Sequence, residues 1–291
     1  MTQEKGTPHI QPASRENLPA ILRLRSNARW KHVHLDWFSA QEAVEASPTY
    51  TASHKRKLIA CLSAPQEPAR VSWLRLFLIR GPHEPQQLWD LLWPPVRDTA
   101  LQSGIDIVAA LATTRWLPPL LYQNGFSYVT DVVFLERSLK PLPPMPELNV
   151  NIRPMLYEDL PQLTRLDHRA FAPIWRHSLD ALQRAFRQAA HATVLESDDA
   201  LLGYQISTAS LLGAHLARVA VDPDSHGRGL GTAIIADAMR TLHQQGFSSL
   251  SVNTQVDNLP SQRLYQRLGF HRTGTRYPVL MQRLRREMAK A

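Results

Sequence analysis

The sequence has one cysteine, Cys61, so no intramolecular disulfide can form, and it lacks any His/Cys spacing of the kind that holds zinc. No stretch approaches the roughly 18 uninterrupted apolar residues of a membrane-spanning helix, and the strongest apolar run, residues 71–79, is broken by Arg75. The opening Met-Thr-Gln-Glu-Lys lacks the basic start and apolar core of a signal peptide. These absences argue against a disulfide scaffold, a metal centre and an integral membrane protein, and make a reducing cytoplasm the expected location. Nor is charge segregated. Sixteen basic against 12 acidic residues through position 145, and 17 against 13 beyond it, give each half +4 of the total +8. Neither half is a basic arm, and with no aromatic-basic motif the excess charge does not single out nucleic acid over an acidic protein or a polyphosphate ligand. The basic cluster Arg283, Arg285, Arg286 and Lys290 reads as a solvated helical tail.

What is present is enough apolar material for a sizeable core, 44% of 291 residues, in a chain whose length suits two domains better than one. Four prolines in residues 140–147 disfavour helix and central strand and mark a semi-rigid spacer. Domains over 1–140 and 150–291 are expected. On either side the chain repeats itself at an offset near 143. Ile10-Gln11-Pro12-Ala13 corresponds to Ile152-Arg153-Pro154-Met155, Arg75-Leu76-Phe77-Leu78 to Arg218-Val219-Ala220-Val221, and Leu121-Tyr122-Gln123-Asn124-Gly125-Phe126 to Leu264-Tyr265-Gln266-Arg267-Leu268-Gly269-Phe270. Three matches in order favour duplication.

In the second half, strands are predicted near 150–153, 192–196, 201–209, 214–221, 248–254 and 276–284, with helices near 158–169, 178–190, 229–245 and 259–268. Leu230, Ile234, Ala238 and Leu242 recur every four residues on one helical face, while Leu250, Val252 and Thr254 alternate with Ser249, Ser251 and Asn253. Mixed strands and helices imply an α/β sheet flanked by helices.

The strongest chemical signal follows strand Val219-Ala220-Val221. Asp222-Pro223 stops the strand, and His226-Gly227-Arg228-Gly229-Leu230-Gly231-Thr232 opens a helix. The first amides of a helix have no internal partner, its dipole favours negative charge, and glycines let phosphate oxygens reach the backbone. A pyrophosphate fits such a turn; a tight turn with incidental glycines is the plainer reading. A P-loop would need a lysine after the last glycine, where Thr232 stands, and a dinucleotide fold would need a different glycine spacing early in the domain. Farther on, Asn258 can cap a helix and Pro260 is tolerated in its first turn. Tyr265 is seven residues on from Asn258, nearly the same helical face.

Together these segments resemble the GNAT superfamily of N-acetyltransferases. Gly229 and Gly231 match its acetyl-CoA motif, commonly Gln/Arg-x-x-Gly-x-Gly/Ala, with His226 standing where Gln or Arg is usual. Residues 258–270 are similar to Asn-x-x-Ala-x-x-Leu-Tyr-x-x-x-Gly-Phe. The resemblance covers 219–270 well and 150–218 only in layout. It implies two tandem GNAT-like domains, each a mixed, mostly antiparallel twisted sheet flanked by helices. It further implies acetyl transfer from acetyl-CoA to a small-molecule or peptide amine, or, as the alternative, an acyl-CoA-binding regulator without turnover.

By the same resemblance, backbone groups of Val219, Ala220 and Val221 bind pantetheine, and residues 226–232 hold the pyrophosphate. Asn258 hydrogen-bonds the pantetheine arm, and Tyr265 protonates the departing thiolate unless it is only a core tyrosine. His215, four residues before Val219 where several GNAT members carry glutamate, is the candidate base and is expected to share a strand face with Val219 and Val221. Trp175 either shapes the acceptor pocket or packs in the core, and Arg228 either reaches a phosphate or faces solvent. Cys61 is expected to be structural. The first domain is expected to be a degenerate copy without activity, since Glu84-Pro85-Gln86-Gln87-Leu88 stands opposite the glycine turn.

Overall fold

A computed structural model describes residues 7–197, 200–210 and 213–284; Arg285, Arg286 and Lys290 of the expected helical tail lie outside them. The chain forms two compact units, one running up to Val129 and resuming at Pro278, the other spanning Thr130–Tyr277.

The first unit contains β1 (His9–Pro12), α1 (Leu18–Asn27), β2 (Trp30–Val33), α2 (Ala40–Glu45), β3 (Thr49–His54), β4 (Lys57–Ser63), β5 (Val71–Trp73) and β6 (Leu76–Ile79). It continues through α3 (Pro85–Gln102), β7 (Ile107–Leu111) and α4 (Leu117–Gln123) into β8 (Ser127–Ser138), most of which belongs to the second unit. Its strands order β1-β3-β4-β6-β2, with β5 parallel to β7. The core is aromatic. Trp89 stacks on Trp93 with centroids 4.8 Å apart, and Phe77 and Phe126 meet Trp89 edge-on.

The second unit adds β9 (Asn151–Pro154), α5 (Leu160–Ala170), α6 (Leu179–Arg187), β10 (His191–Ser197), β11 (Ala200–Ser210), β12 (Gly213–Val221), α7 (Leu230–Gln244), β13 (Ser249–Gln255), α8 (Leu259–Arg267) and β14 (His271–Arg283). Its strands order β14-β8-β13-β12-β11-β10-β9, with β12 parallel to β13 and the other registered pairs antiparallel. The predicted face of α7 is the buried one: Leu230, Ile234, Ala238 and Leu242 are each at most 2% exposed. Each leucine or isoleucine so buried contributes about 1.5–3 kcal/mol. Both units are therefore mixed, mostly antiparallel sheets flanked by helices, and their parallel pairs keep the repeat: Val71↔Ile107 in one, Ala214↔Leu250 in the other.

The boundary at 140–150 does not divide the units. β8 pairs with β13 from Val132↔Gln255 to Ser138↔Ser249, so its body joins the second unit. Residues 279–283 of β14 pair with β7 and join the first. β14 also begins at His271, earlier than the predicted 276, and runs through both a glycine and a proline. Gly274 takes a positive φ of 85° inside the strand, and Pro278, which lacks an amide hydrogen, offers its carbonyl to Ala112. The proline-rich segment packs on the second unit: Leu142 and Leu148 lie against its core, and Arg137 donates to the carbonyls of Leu268 and Pro141. Cutting there would remove a strand from each unit.

Candidate active site

The site forms where β12 leaves β13. The two pair in parallel only at Ala214↔Leu250, His215↔Ser251 and Leu216↔Val252. Beyond Leu216, β12 pairs with β11 alone, through Gly203↔Val221. Asp222 donates its amide to Leu202, which fixes the alternation of an antiparallel pair: Ala220 turns its backbone to β11, while Val219 and Val221 turn theirs into the gap. Of the three residues expected to offer free backbone groups, Ala220 therefore does not.

The glycine turn follows. A single helical turn, Pro223–Ser225, leads out of the strand, and the Asp222 carboxylate accepts from the Asp224 amide. Gly227 and Gly229 both take positive φ, 80° and 81°, a conformation that costs other residues about 1–2 kcal/mol. Gly229 is the N-cap of α7 and so offers no side chain to its first amides; the first amide satisfied within the helix is that of Ala233, by Gly229. The amides of residues 227–232 thus meet no acceptor among the described residues. Gly231 serves packing instead: a Cβ there would stand 3.0 Å from Leu264 of α8. His226 folds back, its Nε2 3.1 Å from the Val221 carbonyl, and Arg228 is exposed. Arg169 of α5 pairs at 2.6 Å with both Asp222 and Asp224, offsetting two carboxylates that would otherwise oppose an anion here.

Asn258 caps α8, its Oδ1 accepting from the Ser261 amide at 3.3 Å. Tyr265 lies on the buried side of that helix, 6% exposed, with its ring edge-on to Phe270. Its hydroxyl has no hydrogen-bond partner among the described residues. Burial pushes its phenol up to about 12, against an opposing pull from the Arg218 charge.

His215 sits otherwise than predicted. The β11–β12 register slips between Ile206 and Ser207, leaving Ala217 as an extra residue, and a bulge of one residue reverses the alternation. Ala214 and Leu216 therefore share the core side with Val219 and Val221, and His215 faces the other way, with Arg218. Its Nδ1 is 2.9 Å from Ser251 Oγ, which also reaches the Ala214 carbonyl at 3.2 Å. Burial lowers the imidazole to about 4, so it is neutral at pH 7.

On that face lies a network of residues distant in sequence. Asp167, fully buried, accepts from Tyr204 Oη at 2.5 Å, from Arg218 Nε and Nη2 at 2.8 and 2.6 Å, and from the His177 amide at 2.9 Å. Arg218 also donates to the Trp175 carbonyl at 2.8 Å. Sequence reasoning placed Arg218 only as a repeat match to Arg75; a charged residue kept at one position of two apolar strands was the available signal.

The first unit carries the same layout with its gap closed. β6 pairs with β4 on one side and, where the second unit is open, with β2 on the other, from Trp30↔Ile79 to Val33↔Leu76. His32 of β2 is fully buried, its ring nitrogen 3.0 Å from the Leu74 carbonyl. α3 begins at Pro85 behind Glu84, so no glycine turn forms. Tyr122, opposite Tyr265, is 50% exposed. Cys61 is buried and its thiol is raised to about 12, as suits a structural residue.

Residues 160–270 match the model of the Acetyltransferase (GNAT) family. Through this segment the chain is similar to the GNAT acetyltransferases. A mycothiol acetyltransferase of Saccharopolyspora erythraea is 30% identical over 128 residues, 40% of this chain and 42% of that protein. A putative [ribosomal protein bS18]-alanine N-acetyltransferase of Bacillus subtilis is 26% identical over 125 residues, 43% of this chain and 83% of that protein. The chain thus spans less than half the length of the first relative. Among solved structures, a GCN5-related N-acetyltransferase of Sphaerobacter thermophilus aligns over 97% of both chains, with TM-score 0.64 and 15% identity. A tandem GNAT protein from the clavulanic acid biosynthesis pathway aligns over 97% of this chain and 100% of its own, with TM-score 0.62 and 14% identity. These likenesses show the fold, including its tandem form. Among the described residues no helix is long and apolar enough to cross a membrane, and no group of side chains is placed to hold a metal.

Proposed function

We propose that the second unit is an N-acetyltransferase that takes acetyl-CoA as donor and an amine, on a small molecule or a peptide, as acceptor. The observation that carries this reading is the gap between β12 and β13 opening directly beside the uncapped amides of residues 227–232. A gap with free backbone groups suits the amide-bearing pantetheine arm, and the uncapped helix suits a pyrophosphate. Bound acetyl-CoA would supply an activated acyl group and a thiolate leaving group. Val219 and Val221 would hold the arm by their backbones. The amide side chain of Asn258, whose oxygen is committed to the helix, would offer its nitrogen. Tyr265 would keep its proton at neutral pH and hold it for the leaving sulfur. His215, neutral at pH 7, would accept the proton that the amine sheds.

The test is a panel of amines with acetyl-CoA, following free thiol release; Cys61 is too buried and too weak an acid to add to that signal. Acetylated product from an amine with equal thiol release supports the reading. CoA binding with no turnover across small amines and peptide N-termini would favour the regulatory alternative.

A pH profile tests His215. Its folded pKa is lowered, so the base form persists down to about 4 and the rate falls only as pH drops through that value. His215→Ala should remove this acidic limb; an unaltered profile would relieve His215 of the role.

The first unit is proposed to be inactive, because β2 occupies the backbone edge that pantetheine would need. The full chain is therefore expected to bind one CoA. A calorimetric stoichiometry of two would overturn this.

A further inference from the structure

The connection between the first two helices of each unit differs in length. In the first unit residues 28–39 join α1 to α2, 12 residues that include β2. In the second, residues 171–178 join α5 to α6, only eight and without a strand. Both connections are nonetheless held by an arginine at the same repeat position. Arg75 pairs with Asp36 and lies 3.8 Å over the Phe38 ring. Arg218 pairs with Asp167 and lies 3.4 Å over Phe171. One device thus fastens a long connection that fills its gap and a short one that leaves its gap open.

We propose that Arg218 and Asp167 are positioning residues that fix the 171–178 loop at the mouth of the β12–β13 gap and so set how the acceptor enters. The inference rests on the proposed transferase reading for the word acceptor, and on geometry for the rest. Arg218 immediately precedes Val219, so the guanidinium that holds the Trp175 carbonyl is anchored beside the gap. Asp167 holds the same loop from its other end through the His177 amide. Arg176 Nε to the Phe171 carbonyl, 3.1 Å, and His168 Nε2 to the His177 carbonyl, 2.9 Å, complete the fastening. A buried ion pair is weak evidence for stability, because an apolar replacement of similar shape is often as stable. Holding a loop in one conformation is a role such a replacement would lose.

Two variants test this. Arg218→Met removes the charge and both anchors; Phe171→Leu removes the stacking surface and leaves the ion pair, and so remains informative if the first does not fold. Each should raise the acceptor KM by about 10-fold or more, the scale of effect expected when a positioned reactant is released, and leave the acetyl-CoA KM within about threefold. Arg218→Lys should not rescue, since an ammonium cannot stack on Phe171 and fork between Asp167 and the Trp175 carbonyl. Hydrogen exchange in the ligand-free variants should speed up at amides 171–177 by roughly 10-fold or more, with 227–232 unchanged. An unchanged acceptor KM, a parallel rise in both KM values, full rescue by lysine, or unaltered loop exchange would each overturn the proposal. If the wild-type protein acetylates no amine, the transferase reading fails and the exchange measurement still decides the positioning role.

Discussion

Tyr265→Phe is expected to bind CoA as the parent does and to turn over about 10²-fold more slowly or worse, the usual cost of losing a general acid. The two halves of that expectation come from different features. Packing is kept, because the ring, edge-on to Phe270 in a buried cluster, is unchanged by the substitution. Stability should hardly move, because the hydroxyl has no hydrogen-bond partner among the described residues to be orphaned. Only the proton is lost. That proton is tightly held, with burial raising the phenol to about 12. Its transfer to a thiolate, whose ordinary pKa is about 8.5, runs uphill even with the opposing pull of the Arg218 charge in place. Wild-type turnover in the variant with its best amine would make Tyr265 a packing residue.

Gly229→Asp should fold and lose CoA affinity by more than about 100-fold. Aspartate is among the residues that best tolerate positive φ and among the favoured N-caps, so the start of α7 can survive. The open side of Gly229 also accepts a Cβ, which would meet only Leu148 methyls at 3.9 Å. The carboxylate would then cap the amides a pyrophosphate needs and repel the phosphates besides. Calorimetry on the folded variant reads the loss, and an unchanged affinity would remove residues 227–232 from the site.

The sequence was most informative where function depends on short-range geometry. The strand stop at Asp222-Pro223, the positive-φ glycines, the four-residue rhythm of α7 and the Asn258 cap are all set by neighbours within a turn or two. The reading failed where long-range pairing decides. The bulge at Ala217, which moves His215 to the face of Arg218, exists only because β11 and β12 pair as they do. Trp30–Val33 carries no local sign that it will lie along β6, and the exchange of β8 and the end of β14 is invisible to a search for linkers. Asp167, Tyr204 and Arg218 come together only when α5, β11 and β12 pack.

The central claim, that one CoA site exists and lies in the second unit, is tested most directly by hydrogen exchange of the full chain with and without CoA. Slowed exchange at Val219, Val221 and residues 227–232, with residues 76–79 and 84–88 unaffected, is the expected result. Protection at 76–79 or 84–88 with none at 227–232 would contradict it.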